Sequence, residues 1–154
     1  MIEHLIAELK SRGYRVGTIK EMVRIPTLDT PATETDRYSS AGAEIVVAVP
    51  RDETVVFVKK RLGLTKILPF VKDLDYVVLE GFESEKGLAR VIAAKTVSEA
   101  EQYMDKAVIA VSGLLTQSKE ESKKAMCLNV PVVNVLVDAS VLADLVEENA
   151  KLFS

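Results

Sequence analysis

A chain of 154 residues, 48% of them hydrophobic, is long enough to bury one domain core and too apolar to be a disordered tail. Its net charge of −3 gives no general attraction to nucleic acid or acidic membranes, and its single cysteine, Cys127, excludes an internal disulfide. The N-terminus lacks a charged-then-apolar signal pattern, and no apolar run reaches the roughly 18–20 residues of a membrane span, so a cytoplasmic protein is expected.

Residues 2 to 12 predict a helix: Ile2, Leu5, Ile6 and Leu9 recur at helical spacing, and Gly13 sits where a C-terminal cap belongs. The helix opens at Met1 with no capping residue before it, which leaves its first N–H groups without an obvious partner. Short apolar runs then alternate with polar stretches. Val16 to Ile19, Ile45 to Val49, Val55 to Val58, Tyr76 to Leu79, Val91 to Ala94, Val108 to Val111 and Val132 to Leu136 all predict strands. Most are continuous and rich in Val and Ile, the pattern of strands covered on both faces in α/β sheets.

Helix starts are signposted by Ser98-Glu99-Ala100-Glu101 and Ser118-Lys119-Glu120-Glu121, both capping-box patterns. The first predicts a helix to about Met104, the second a helix toward Cys127, with Cys127 as core packing. Asp138 to Ala150 predicts the last helix, and Gly63 and Pro69 leave Leu62 to Val71 ambiguous. Residues 25 to 36 form a polar loop with two prolines and four threonines, leading into a small helix ended by Gly42. No repeat or linker is visible, so one domain over residues 1 to 154 is expected.

The segment Asp75-Tyr76-Val77-Val78-Leu79-Glu80-Gly81-Phe82 carries the strongest chemical signal. It is a strand ending in an acid followed by glycine, and ligands of open α/β sheets bind beyond the carboxyl ends of strands. A carboxylate there can hold Mg²⁺ opposite a nucleotide's phosphates, and Gly81 lets the backbone turn close to the ligand. Taken alone, the same pattern also describes a strand end with an exposed acid and a turn glycine. In the loop, Asp36 and Arg37 can face phosphate or metal and Thr35 can donate a hydrogen bond, or all three can simply be solvated, and Lys20 at the end of its strand can meet an anion or stand at the surface. His4 is the only histidine and lies off the apolar face of its helix, so neither a catalytic triad nor a His/Cys metal set is evident.

The run Ile2-Glu3-His4-Leu5-Ile6-Ala7-Glu8-Leu9-Lys10-Ser11-Arg12-Gly13-Tyr14-Arg15-Val16-Gly17-Thr18-Ile19-Lys20 resembles the segment directly after the P-loop in the molybdopterin-guanine dinucleotide biosynthesis protein B (MobB) family. Leu28-Asp29-Thr30-Pro31-Ala32-Thr33-Glu34-Thr35-Asp36-Arg37-Tyr38 is similar to that family's switch-like loop, Ser40 to Glu44 continue the match, and Asp75 to Phe82 resemble its acid-glycine motif. The blocks keep the family's order and spacing to about Ser112.

The resemblance implies a P-loop NTPase-like α/β fold, a mostly parallel sheet with flanking helices. It implies GTP and Mg²⁺ as cofactors, weak GTPase activity, a molybdenum cofactor nucleotidyltransferase as partner, and a homodimer. Carried over residue by residue, the cofactor-binding candidates are Glu80, Gly81, Asp29, Thr35, Arg37 and Lys20, with Glu80 also the metal candidate.

The chain departs from the family at Glu21, where a histidine is frequent, and at Ala32-Thr33-Glu34-Thr35, where Gly-Lys-Asp-Ser is common. Ser112-Gly113 offers no acid to read a base, so guanine is not singled out. No G-x-x-x-x-G-K-[ST] occurs in the chain, and the strand preceding it in the family is absent too. The expectation is an N-terminally incomplete relative that cannot hold the phosphates and is inactive as a GTPase. The alternatives are a nucleotide-independent interaction module and another P-loop protein, such as a metal-enzyme maturation factor or a dethiobiotin-synthetase-like ligase.

Overall fold

A computed structural model describes residues 1–23 and 28–150 of the chain. In chain order its elements are α1 (Ile2–Ser11), β1 (Val16–Lys20), α2 (Glu34–Ser40), β2 (Ile45–Ala48), β3 (Val55–Val58), α3 (Leu64–Ile67), β4 (Tyr76–Glu80), β5 (Arg90–Ala93), α4 (Val97–Glu101), β6 (Val108–Ser112), α5 (Lys119–Ala125) and α6 (Ala139–Asn149). They fall into two compact units, one of Met1–Lys20 with the chain from Leu74 onward, the other of Glu21–Asp73.

In the larger unit, α1 buries Leu5 and Leu9, one turn apart, and ends where Gly13 takes φ +92°. The Gly13 and Tyr14 amides then donate to the carbonyls of Lys10 and Leu9. Arg12 clamps α1 to α6. Its guanidinium donates to Glu8 at 2.9 Å, to Asp144 at 2.6 Å, to Glu147 at 2.9 Å and to the Ser140 carbonyl at 3.0 Å. Asp144 first, then Glu8 and Glu147, push its pKa further above its ordinary value.

The strands of this unit form two parallel pairs, β1 with β4 and β5 with β6. One core cluster joins them: Leu5 and Leu9 of α1 and Leu142 and Ala143 of α6 lie with Ala110 of β6, and Val16, Tyr76, Val78 and Val91 pack on the same cluster. Both pairs therefore cover the same helical layer. A second cluster fills the space around α4 and α5, with Ile92, Val97, Ala100, Val111, Leu115 and Ala125. Strand β6 is covered on both faces, as its apolar run predicts, whereas β1 and β4 remain mostly half-buried.

Four expectations need correction. Val132 to Leu136 is not a strand: it makes one bridge, Val111 with Val132, and then turns. Asn134 causes the turn, its carbonyl accepting from Val137 and Asp138 and its side chain from Leu136. The first capping box lies elsewhere, since Thr96 caps α4 by accepting from Glu99 while the Glu99 carboxylate accepts from Lys95. At the second start Ser118 does cap α5, but the Glu121 carboxylate leaves its own helix and accepts from the Val97 amide at 2.7 Å, tying α5 to α4. Cys127 is exposed, because α5 stops at Ala125 and places it in the following turn.

In the smaller unit, α2 is capped by Thr33, whose side chain accepts from the Asp36 amide, and Gly42 follows its end at φ +108°. Strands β2 and β3 pair antiparallel, with Ile45 opposite Val58 and Val47 opposite Val56. Leu62 to Val71 resolves into the short α3 and one 3₁₀ turn over Leu68–Phe70, the break set by Pro69. Within the polar loop, Ile25, Pro26 and Thr27 lie outside the described residues.

Candidate functional site

The parallel register of β1 and β4 places Lys20 directly opposite Glu80 at the carboxyl ends of both strands. Their side chains form an ion pair, Nζ to Oε1 2.8 Å, with about half of each exposed. The chain then turns through Gly81 at φ +85° and Phe82 at φ +55°. Only glycine adopts such a conformation without strain, and Phe82 holds it at a cost typical of a constrained turn.

Beyond Glu80 opens a groove of about 420 Å³, with Leu79 and Glu80 on one wall and Arg90–Ala93 of β5 on the other. Met1 and Ile2, at the start of α1, line it as well. Helix N-termini carry partial positive charge and unpaired N–H groups, so this end of α1 favours an anion. Glu83 and Glu85 add negative charge to the groove. Arg90, its basic residue, is already engaged by Asp105 at 3.1 Å and the Glu83 carbonyl at 3.4 Å. Sequence reasoning missed these three residues; the acidic run Glu80-Gly81-Phe82-Glu83-Ser84-Glu85 was the only signal for the two glutamates, and Arg90 gave none.

The other three candidates lie in the smaller unit. The Asp29 side chain is 3% exposed; it accepts from Thr35 Oγ1 at 2.8 Å and Thr33 Oγ1 at 3.4 Å, and faces Lys59 Nζ at 3.5 Å. Thr35 spends its hydroxyl on holding Asp29 and meeting Thr33 at 2.9 Å. Arg37 is exposed and reaches Glu34 at 3.6 Å. Asp29 and Thr35 thus belong to a network that shapes the loop entering α2, while Arg37 points to solvent.

The donor set was compared with what a magnesium nucleotide needs. Among the described residues no three His, Cys, Asp or Glu side chains gather as a metal cluster, so Glu80 would serve as a single carboxylate. Magnesium is commonly held by one or two carboxylates with phosphate oxygens and water, which Glu80 fits. The phosphates themselves need a cradle of backbone amides and a lysine, and no Gly-rich loop with that lysine occurs in the chain. The fit is therefore partial: a metal-side carboxylate and a helix N-terminus, without the phosphate grip.

Parallel strands backed by helices, with an acid and glycine at the carboxyl end of β4, define a P-loop NTPase-like α/β fold. The chain belongs to the MobB family: the family model for molybdopterin guanine dinucleotide synthesis protein B matches residues 1–113. A putative molybdopterin-guanine dinucleotide biosynthesis adapter protein of Methanocaldococcus jannaschii is 35% identical over 77 residues, 49% of this chain and 32% of that protein. The match thus spans about a third of that relative's length. Among solved structures, Bacillus subtilis MobB superposes with TM-score 0.73 at 20% identity, covering 97% of this chain and 88% of its own. A MobB homologue from Bacillus stearothermophilus gives TM-score 0.61 at 18% identity, covering 96% and 86%. These structures establish the likeness of fold.

Proposed function

We propose that the protein is an accessory factor in the synthesis of molybdopterin guanine dinucleotide, acting beside the nucleotidyltransferase that joins the guanine nucleotide to the pterin. The family match over residues 1–113 carries this reading. Glu80 and Gly81 supply the magnesium side of a GTP site and Lys20 offers a positive charge to its anion, while Asp29 and Thr35 shape the switch-like loop and Arg37 extends from it. Alone, the 154 residues bind GTP weakly, because their phosphate grip is missing. The absence of a helix long and apolar enough to cross a membrane, among the described residues, accords with a cytoplasmic role.

Isothermal calorimetry with GTP and Mg²⁺ tests the nucleotide half of the reading, and co-purification with the nucleotidyltransferase tests the partner half. The expected result is weak or undetectable GTP binding by the chain alone together with a stable complex with the enzyme. Tight binding by the chain alone overturns the first half. Failure to retain the enzyme shifts the reading to a different interaction module.

The homodimer has its own support. Ile45, Val47 and Val56 lie on one face of the β2–β3 pair and are 57%, 55% and 43% exposed. An isolated two-stranded hairpin is marginal in water, and a second copy would cover this face. Sedimentation equilibrium is expected to give a dimer that Val47→Lys dissociates. A monomeric wild-type chain overturns the dimer.

A further inference from the structure

We propose that the chain edge beyond β6, residues 130 to 134, takes up one extended segment of a partner protein, apolar along its middle and acidic where it passes α5. The Val111 amide donates to the Pro131 carbonyl at 2.9 Å, and the Val133 amide donates to the Val111 carbonyl at 2.9 Å. Pro131 and Val133 therefore turn their main chain toward β6, on either side of the parallel bridge of Val111 with Val132. Alternation turns the amide and carbonyl of Val132 the other way, with the Val130 carbonyl and the Asn134 amide beside them. Among the described residues no hydrogen bond reaches these four groups.

A groove of about 440 Å³ runs between this edge and α5, lined by Ala125, Met126, Leu128, Val130 and Val132. Its two hydroxyls are spent within their own turns: Thr116 donates to the Gly113 carbonyl at 2.8 Å and Ser122 to the Leu115 carbonyl at 3.2 Å. Met126 stands at the rim, 83% exposed. The lining takes apolar side chains, and the edge takes main-chain N–H and C=O groups. An extended polypeptide offers both, with every second side chain facing the groove.

Charge selects among such segments. Glu121 reaches across to α4, where it accepts from the Val97 amide at 2.7 Å. At about 3.6 residues per turn, the side of α5 opposite Glu121 carries Lys119 and Lys123, with Met126 next along the same side. Met126 lines the groove, so the two lysines flank it. Both are exposed, and neither forms an ion pair among the described residues. The acids of α5 are engaged elsewhere, since Glu120 and Glu121 both hold Lys124, at 2.6 Å and 3.0 Å. No Asp or Glu lines the groove. An acidic segment thus meets two unanswered positive charges, whereas a basic one meets like charge.

Strand addition at this edge needs neither GTP nor magnesium, so its failure leaves the nucleotide reading as it stands. The test is residue-resolved amide hydrogen exchange by NMR on the whole chain. In the free protein the amides of Val132 and Asn134 are expected to exchange faster than that of Val133. The probes are the synthetic peptide acetyl-Glu-Val-Ile-Val-Glu-amide, its charge-reversed form acetyl-Lys-Val-Ile-Val-Lys-amide, and a control with Pro replacing Ile. At saturation the acidic peptide is expected to slow the two edge amides about tenfold or more, and the proline control to leave them unchanged. It is expected to bind about threefold or more tighter than the basic peptide, a preference that Lys119→Glu with Lys123→Glu reverses and Lys119→Gln with Lys123→Gln removes. The proposal is overturned if the two amides are already protected in the free chain, or if their protection grows with the concentration of the chain alone, which would make a second copy the occupant. It is equally overturned if the acidic peptide does not slow them, if the proline or basic peptide slows them as much, or if the glutamine variant keeps the preference.

Discussion

Lys20 and Glu80 meet at 2.8 Å because β1 and β4 run parallel in one register, although sixty positions separate them in the chain. The pair stands where the strand-acid-glycine motif opens to the groove, and about half of each side chain is exposed. Solvent therefore screens the attraction. A double-mutant cycle with Lys20→Met and Glu80→Gln, followed by urea denaturation, is expected to give a coupling of about 0.2–1 kcal/mol that shrinks at high salt. A salt-independent coupling above about 2 kcal/mol would show that the pair is desolvated and holds the strand ends together.

Gly113 sets a steric limit at the end of β6. It adopts φ +100°, and a Cβ there would lie 2.6 Å from the Ala94 carbonyl oxygen and 2.8 Å from its nitrogen. Those are main-chain atoms of the neighbouring segment, so no side chain can move aside to make room. Gly113→Ala combines backbone strain of about 1–3 kcal/mol with that clash. The expected outcome is a large fall in the urea midpoint, with loss of amide protection at Ala94 and Leu115. A midpoint within error of wild type would mean that the β5–β6 end yields freely.

Acid should loosen the protein through carboxylates that the fold has made more acidic. The Val97 amide, then Lys124, hold Glu121 below its ordinary value. The Arg15 amide and side chain do the same for Asp75, and the Ser140 hydroxyl for Asp138. Each folded-state pKa lies under the unfolded one, so the stabilisation is complete above the unfolded values near about pH 4 and is lost as pH falls through the depressed ones. Glu121→Gln is expected to flatten the acid limb of a plot of urea midpoint against pH, with little change in its slope near neutrality. An unchanged acid limb would remove Glu121 from the account.

Residues 1 to 20 were legible because local signals agreed there: the Leu5–Leu9 spacing, Gly13 and the Val-Ile run all point to one helix and one strand, and both form. The strand-acid-glycine motif was legible for the same reason. Val132 to Leu136 misled because its apolar run resembles a strand, whereas the backbone there is governed by Asn134, whose side chain and carbonyl close a turn. The capping box at residue 98 misled by two positions, since Thr96 and Ser98 are both good caps and only the packing of Val97 and Ala100 in the core chooses between them.

The sequence by itself determined the α/β class, the family and the absence of a Gly-rich phosphate loop, because each rests on residue identity and local spacing. Tertiary structure decided which of these residues meet. It paired Lys20 with Glu80, buried Asp29 under Thr33 and Thr35, turned Cys127 outward, and left β4 and β5 facing each other across a groove. Strand register and burial arise from contacts between segments far apart in the chain, and such contacts leave no periodic trace in either segment alone.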